Sequence, residues 1–229
     1  MQGRYAVIGW GSLIWDLEIL TPYVETPWMM EAGPKLPMEF SRISAKRKMG
    51  LAVCLDSAMG EPCATHVIPS TRETLVEAID DLAARERAPF DRIGGVCLAT
   101  GARQGRRHFS DLVSLWCEEF GWQGAVWTDL ASNFQVLRNL PFSVARAKEY
   151  LQSLKGESLN EAVRYIANAP ETTNTRLRRA LQEDKWWCER LAERGYAPGT
   201  DAITSVVAQD LPDPGAARIN PAPTNRENM

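Results

Sequence analysis

The chain has 229 residues, 26 Lys and Arg against 29 Asp and Glu, and a formal net charge of −3. That length suits one domain, alone or with appendages, and is enough to bury a core without disulfides or metals; the near balance of charge argues against nucleic acid or an anionic membrane surface as the main partner. The cysteines, Cys54, Cys63, Cys97, Cys117 and Cys188, are an odd, widely spaced set with no C-x-x-C, so neither a disulfide framework nor a zinc site is expected, and a reducing cytoplasm fits.

The first element is "YAVIGWGSLIWD", residues 5 to 16. Tyr5 to Ile8 suit a buried strand, and Gly9 and Gly11 interrupt it, as glycine does at a bulge or where a ligand approaches the backbone. The apolar run after Arg4 lacks a small-residue cleavage site and is followed by Asp16 and Glu18, so it does not read as a signal peptide. It is also too short for a bilayer, which takes about twenty residues in a helix. A soluble protein is expected.

A turn region follows, with Pro22, Pro27, Pro34 and Pro37. Then "LAVCLD" (51–56) and "CATHVIP" (63–69) read as two strands joined around Gly60. Ser70 and Glu73 have capping-box spacing, so a helix is expected from Ser70 to Pro89. "GGVCLAT" (94–100) and "GAVWTDL" (124–130) read as buried strands, with a helix over 110–120 between them that stops at Gly121. From Ser143 the pattern is helical: Ser158 and Glu161 repeat the capping-box spacing, and Leu177, Leu181, Cys188 and Leu191 mark one longer helix ending near Gly195. After Tyr196 the composition predicts a disordered tail.

The absences are informative. Ile14 stands where a dinucleotide-binding G-x-G-x-x-G needs its third glycine, and there is no Walker motif or G-x-S-x-G elbow. His66 and His108 are the only histidines, which excludes a multi-histidine metal site. Cys97 falls inside an apolar strand, where a thiol behaves as a small hydrophobe, so a Cys97–His108 dyad is disfavoured. Lys46, Arg47 and Lys48, like Arg103, Arg106 and Arg107, read as solvated charge runs. In the helix from Ser70, Leu75, Ile79 and Leu82 form one stripe by steps of four and three, and its next member is Glu86. Glu86 is therefore either an ordinary solvent-exposed acid at a helix end or an inward carboxylate suited to proton transfer.

Two segments carry a family resemblance. "VIGWGSLIW" resembles the strand and Gly-Tyr-Gly-Ser-Leu turn of the gamma-glutamylcyclotransferase-like family, especially its ChaC-type branch, and "AIDDLAARERAPF" resembles that family's helix with an Arg-Glu pair. "RKMGLAVCLD" and "CATHVIP" look like the intervening strands. The likeness is clearest over residues 5 to 90 and loose to about 154. Trp10 replaces the turn's tyrosine, and Ala88, Pro89 and Phe90 replace the Gly-Gly-Tyr that often follows the glutamate.

The resemblance implies an α+β fold with a small mixed β-barrel over 1–140, its wall made by the strands near 5–9, 51–56, 63–69, 94–100 and 124–129. A helical extension over 141–196 would pack on it, before a tail over 197–229. It implies a cofactor-free and metal-free enzyme that cyclises a small gamma-glutamyl compound to 5-oxoproline and releases the amine. Glu86 would be the general acid/base. Gly9, Trp10, Gly11, Ser12 and Leu13 would bind substrate, joined by Arg42, which could pair with a substrate carboxylate. The other reading is a non-catalytic small-ligand-binding or scaffold protein on the same fold, with the helices from 143 to 195 as a partner surface.

Overall fold

The computed structural model describes residues 4–196; the tail expected to be disordered, 197–229, lies outside them. Strands β1 (Tyr5–Gly9), β2 (Leu36–Ser44), β3 (Gly50–Leu55), β4 (Glu61–Cys63), β5 (His66–Pro69), β6 (Ile93–Cys97), β7 (Arg103–Gln104) and β8 (Gly124–Thr128) form two sheets. The larger runs β5-β1-β8-β6-β7 and the smaller β3-β2-β4. In the larger one β1 is parallel to β8 and antiparallel to β5, while β6 is antiparallel to β8. Helices α1 (Leu75–Glu86) and α2 (Arg107–Phe120) fall between these strands, and α3 (Phe134–Arg138), α4 (Val144–Ser153), α5 (Gly156–Ala167), α6 (Arg176–Gln182) and α7 (Lys185–Ala192) follow them. The fold is α+β. Among the described residues no strand ladder joins the two sheets, so the expected barrel wall is divided rather than closed.

The larger sheet is covered on both faces, and the period-2 geometry of its strands sorts the side chains. Tyr5 and Val7 of β1, Val126 of β8 and Ile93 and Cys97 of β6 enter one core with Ala78, Ile79 and Leu82 of α1. Their alternates Ala6, Ile8, Ala125, Trp127 and Val96 enter the other core, with Phe109 and Val113 of α2. That second core also takes in β2, β3 and Ala147, Leu151, Ala162, Ile166, Leu177 and Leu191 of the C-terminal helices. The strands are therefore apolar on both sides, which is why they read as continuous hydrophobic runs.

Several boundaries move. "CATHVIP" is not one strand: Cys63 ends β4 in the smaller sheet, and His66 begins β5 in the larger. Between them the Gly33 amide donates to the Thr65 carbonyl (3.0 Å) and Thr65 Oγ1 to the Pro34 carbonyl (2.7 Å), which anchors the crossing. Strand β2 lies partly where prolines predicted turns. Pro37 is accommodated because it stands opposite Pro62 of β4 and just beyond the last β2–β3 pair, Met38 with Leu55, while its carbonyl still accepts from Asp56 N at 3.0 Å. Leu36, Met38 and Phe40 alternate inward until a register shift between Glu39 and Arg42 puts Ile43 on the buried side.

The helix after β5 starts four residues later than the Ser70 spacing implied. Ser70 remains part of the sheet edge, its amide donating to Tyr5 O at 2.8 Å. Thr74 is the cap, accepting from Glu77 N (3.3 Å) and donating to Glu77 Oε2 (2.6 Å). Likewise α5 starts at Gly156, so Ser158 and Glu161 lie inside it. The single helix expected through Leu177 and Leu191 is two, because the Asp184 side chain accepts from Trp187 N at 3.0 Å and pairs with Lys148, restarting the chain as α7. Gly121 ends α2 in the left-handed region (φ 74°), as expected.

His66 is a buried joint. Its Nδ1 accepts from Glu31 N (2.9 Å), so the ring proton sits on Nε2 and is donated to Thr172 Oγ1 (3.0 Å). Burial holds its pKa below the ordinary value. The unfolded chain then binds more protons than the folded one between the two pKa values, so stability is lost as pH falls below about 6.5. Thermal denaturation from pH 7.5 to 5.5 should show a falling Tm that is flatter in His66→Gln; parallel slopes would show that another group is responsible.

Candidate active site

The chain leaves β1 through Trp10 in an extended conformation and enters a 3-10 turn at Gly11–Leu13, with Gly11 at φ 55°. The turn is fastened from α1. The stripe of Leu75, Ile79 and Leu82 brings the last helical residue, Glu86, to this turn, and Arg87 in the left-handed region then ends the helix. Arg85, beside it, is completely buried. Its Nη1 donates to Glu86 Oε1 at 2.8 Å, and its Nη2 to the backbone carbonyls of Ser12 (3.3 Å) and Asp16.

A second wall comes from the smaller sheet and the 3-10 turn that follows β2, Ala45–Arg47. Arg47 Nη2 donates to Ser12 Oγ at 2.7 Å, its Nη1 to Glu161 Oε1 at 3.1 Å, and its guanidinium stands 4.9 Å from the Tyr165 ring centre. Lys46 Nζ donates to the Arg85 carbonyl (3.0 Å) and pairs with Glu18 (3.1 Å). Glu161 and Tyr165 belong to α5, so the C-terminal helices complete the site.

These parts enclose an open cleft of about 600 Å³, solvent mouth included. Glu86 lines it, and so do Gly9, Trp10, Ser12, Leu13 and Arg42. Gly11 is beneath this wall rather than on it. A Cβ at Gly11 would lie 2.8 Å from Tyr165 Oη and 2.9 Å from Val53 Cγ1, and one at Gly9 would run into the Trp28 indole. Packing therefore accounts for both glycines, where the sequence suggested ligand approach.

The cleft is rich in positive charge: Arg42, Lys46 and Arg47 line it against one carboxylate, Glu86. Burial and the neighbouring Arg85 guanidinium hold Lys46 below its ordinary pKa, although Glu86 and Glu18 oppose this. For Glu18 burial disfavours the anion, but Lys46, Arg85 and Arg87 outweigh it and the carboxyl titrates below its usual range. Glu161 is likewise held down by Arg164 and Arg47 against the effect of burial. Arg42 is half-buried, which lowers its pKa. It donates to the Ala131 carbonyl (2.6 Å) and has no carboxylate partner among the described residues.

The run Lys46-Arg47-Lys48 is not the solvated loop its composition suggested, since Arg47 is buried and Lys46 half-buried. Nothing in local sequence distinguishes Arg47 from Lys48; only the docking of α5 does. Arg85 and Tyr165 were not singled out by the sequence: the first is one polar residue of an amphipathic helix, and nothing near the second marks it as reaching a site more than a hundred residues earlier. Among the described residues no group of three or more His, Cys, Asp or Glu side chains could hold a metal ion, and no helix is long and apolar enough to cross a membrane. Comparison with protein-family models, with curated protein sequences and with solved structures finds no match for this chain.

Proposed function

We propose that the chain is a gamma-glutamyl cyclotransferase, converting a small gamma-glutamyl compound to 5-oxoproline and a free amine, with Glu86 as the general acid/base. One observation carries the reading: a single buried guanidinium, Arg85, holds both the Glu86 carboxylate and the carbonyls of the Ser12–Asp16 segment. The proton carrier and the turn facing it are thereby fixed to one another. In this reading the two sheets are the halves of the family's curved barrel wall. The free cysteines suit work in the cytoplasm.

Intramolecular cyclisation needs orientation and proton transfer, and no protein nucleophile. Glu86 takes a proton from the substrate α-ammonium, and the freed amine attacks the γ-carbonyl carbon, closing a five-membered ring. The carbonyl oxygen becomes negative, and backbone N–H groups opening the Gly11–Leu13 turn, which lack intrahelical acceptors, are suited to receive it. As the carbon–nitrogen bond breaks, Glu86 gives its proton to the leaving nitrogen and then takes the second proton from the ring nitrogen, which is left as the lactam N–H. The substrate α-carboxylate has Arg42 as its partner.

A non-catalytic anion-binding protein is the second reading, favoured by the cationic lining and by the ion pair that already occupies Glu86. Incubation with a panel of gamma-glutamyl amino acids, peptides and amines, followed by chromatography for 5-oxoproline, separates the two. Release from at least one compound is expected; tight binding with no release would establish the second reading instead.

A further inference from the structure

The helices after residue 143 contribute a side chain to the cleft that the proposed mechanism has not used. Tyr165 of α5 lines the cleft while being 5% exposed overall. Its ring is gripped edge-on by Trp15 (centroids 5.9 Å apart) and Phe40 (6.3 Å), with Arg47 over its face. This leaves the ring little freedom, and its hydroxyl is held against Gly11, the first residue of the turn.

That hydroxyl has a donor to spare. Among the described residues no group accepts the O–H proton. Burial raises the phenol pKa to about 12, so the group is a neutral donor at physiological pH. A neutral donor also differs in kind from the other polar groups here. Arg42, Lys46 and Arg47 suit an anion that is charged throughout, such as a carboxylate, whereas a fixed O–H favours an oxygen whose charge develops during reaction.

Resting on the cyclotransferase reading, we propose that Tyr165 Oη donates a hydrogen bond to the substrate γ-carbonyl oxygen as it becomes an oxyanion, so that α5 completes the catalytic site. The C-terminal helices are then part of the enzyme's machinery and not only a support for the sheets.

Tyr165→Phe keeps the ring and removes the hydroxyl. Steady-state 5-oxoproline release should show kcat reduced by about 10-fold or more with KM little changed, the pattern of an interaction made only in the transition state. Tyr150→Phe removes a matching hydroxyl from α4, one that donates to the Met49 carbonyl (2.6 Å) and does not line the cleft, and should hold kcat within about threefold. Thermal denaturation of both variants shows that each is folded at the assay temperature. An active wild type with unchanged kcat in Tyr165→Phe, a rise in KM alone, or an equal kcat loss in Tyr150→Phe would each overturn the role of Tyr165 and leave the cyclotransferase reading standing. A wild type that releases no 5-oxoproline from any gamma-glutamyl compound would overturn both.

Discussion

Glu86→Gln should lower 5-oxoproline turnover by about 100-fold or more while changing substrate affinity little, the scale expected when a positioned acid/base is removed. Glutamine keeps the side chain's length and can still accept from Arg85, but it cannot carry the proton from the α-ammonium to the leaving nitrogen. The structure also sets the sign of the stability effect. A lone desolvated carboxylate would be better replaced by an amide, yet Glu86 is the one carboxylate paired with the fully buried Arg85 among the described residues. Its loss leaves a buried cation with Lys46 beside it. A stability loss of about 1–3 kcal/mol is expected, less than for a fully buried pair because Glu86 retains some solvent contact. Denaturant titration and assays at a temperature where both forms are folded separate the two effects. Turnover that survives the substitution would remove Glu86 from the mechanism.

Gly11→Val should be the most damaging single change in the turn. The backbone there is left-handed at φ 55°, a region that a β-branched residue occupies only under strain. The new Cβ would press on Tyr165 Oη and Val53 Cγ1, both in packed surroundings. Strain and overpacking of about 1–3 kcal/mol each give an expected loss of about 2–5 kcal/mol. Activity in the remaining folded protein should fall as well, since relief of the clash requires moving the turn or the tyrosine. A double-mutant cycle of Gly11→Ala with Tyr165→Phe tests the contact: deleting the hydroxyl should recover part of the alanine's cost. Strictly additive effects would show that backbone strain alone makes glycine necessary.

Much of the larger sheet is legible locally. Tyr5 to Ile8, 94–97 and 124–128 are runs whose alternate residues enter two cores, so any buried strand there must be apolar throughout. The stripe ending in Glu86 is equally local, because 3.6-residue periodicity places it without reference to the rest of the molecule. Strand β2 was within reach too: Leu36, Met38 and Phe40 alternate, but Pro34 and Pro37 signalled turns and the register shift before Arg42 interrupts the pattern. Two consecutive capping boxes, Ser70 to Glu73 and Thr74 to Glu77, have equal local merit. The choice between them came from the Ser70 amide bonding to Tyr5 across the sheet.

By itself, then, the sequence determined most strand runs of the larger sheet, the helical character of the segment from 143 to 195, the interrupted turn after β1 and the position of Glu86 at the end of an apolar stripe, because each depends on neighbours within a few residues. Tertiary structure alone decided that Cys63 and His66 belong to different sheets, that Arg47 is buried while Lys48 is exposed, and that Tyr165 meets Gly11 across 154 positions of chain. It also decided why Gly9 and Gly11 are glycines, since Trp28 and Tyr165 are distant in sequence and adjacent only in the fold. The division follows from the range of the forces. Periodicity and capping act along the chain, whereas the burial of a charge or the fit of a ring against a backbone depends on which distant surfaces exclude water together.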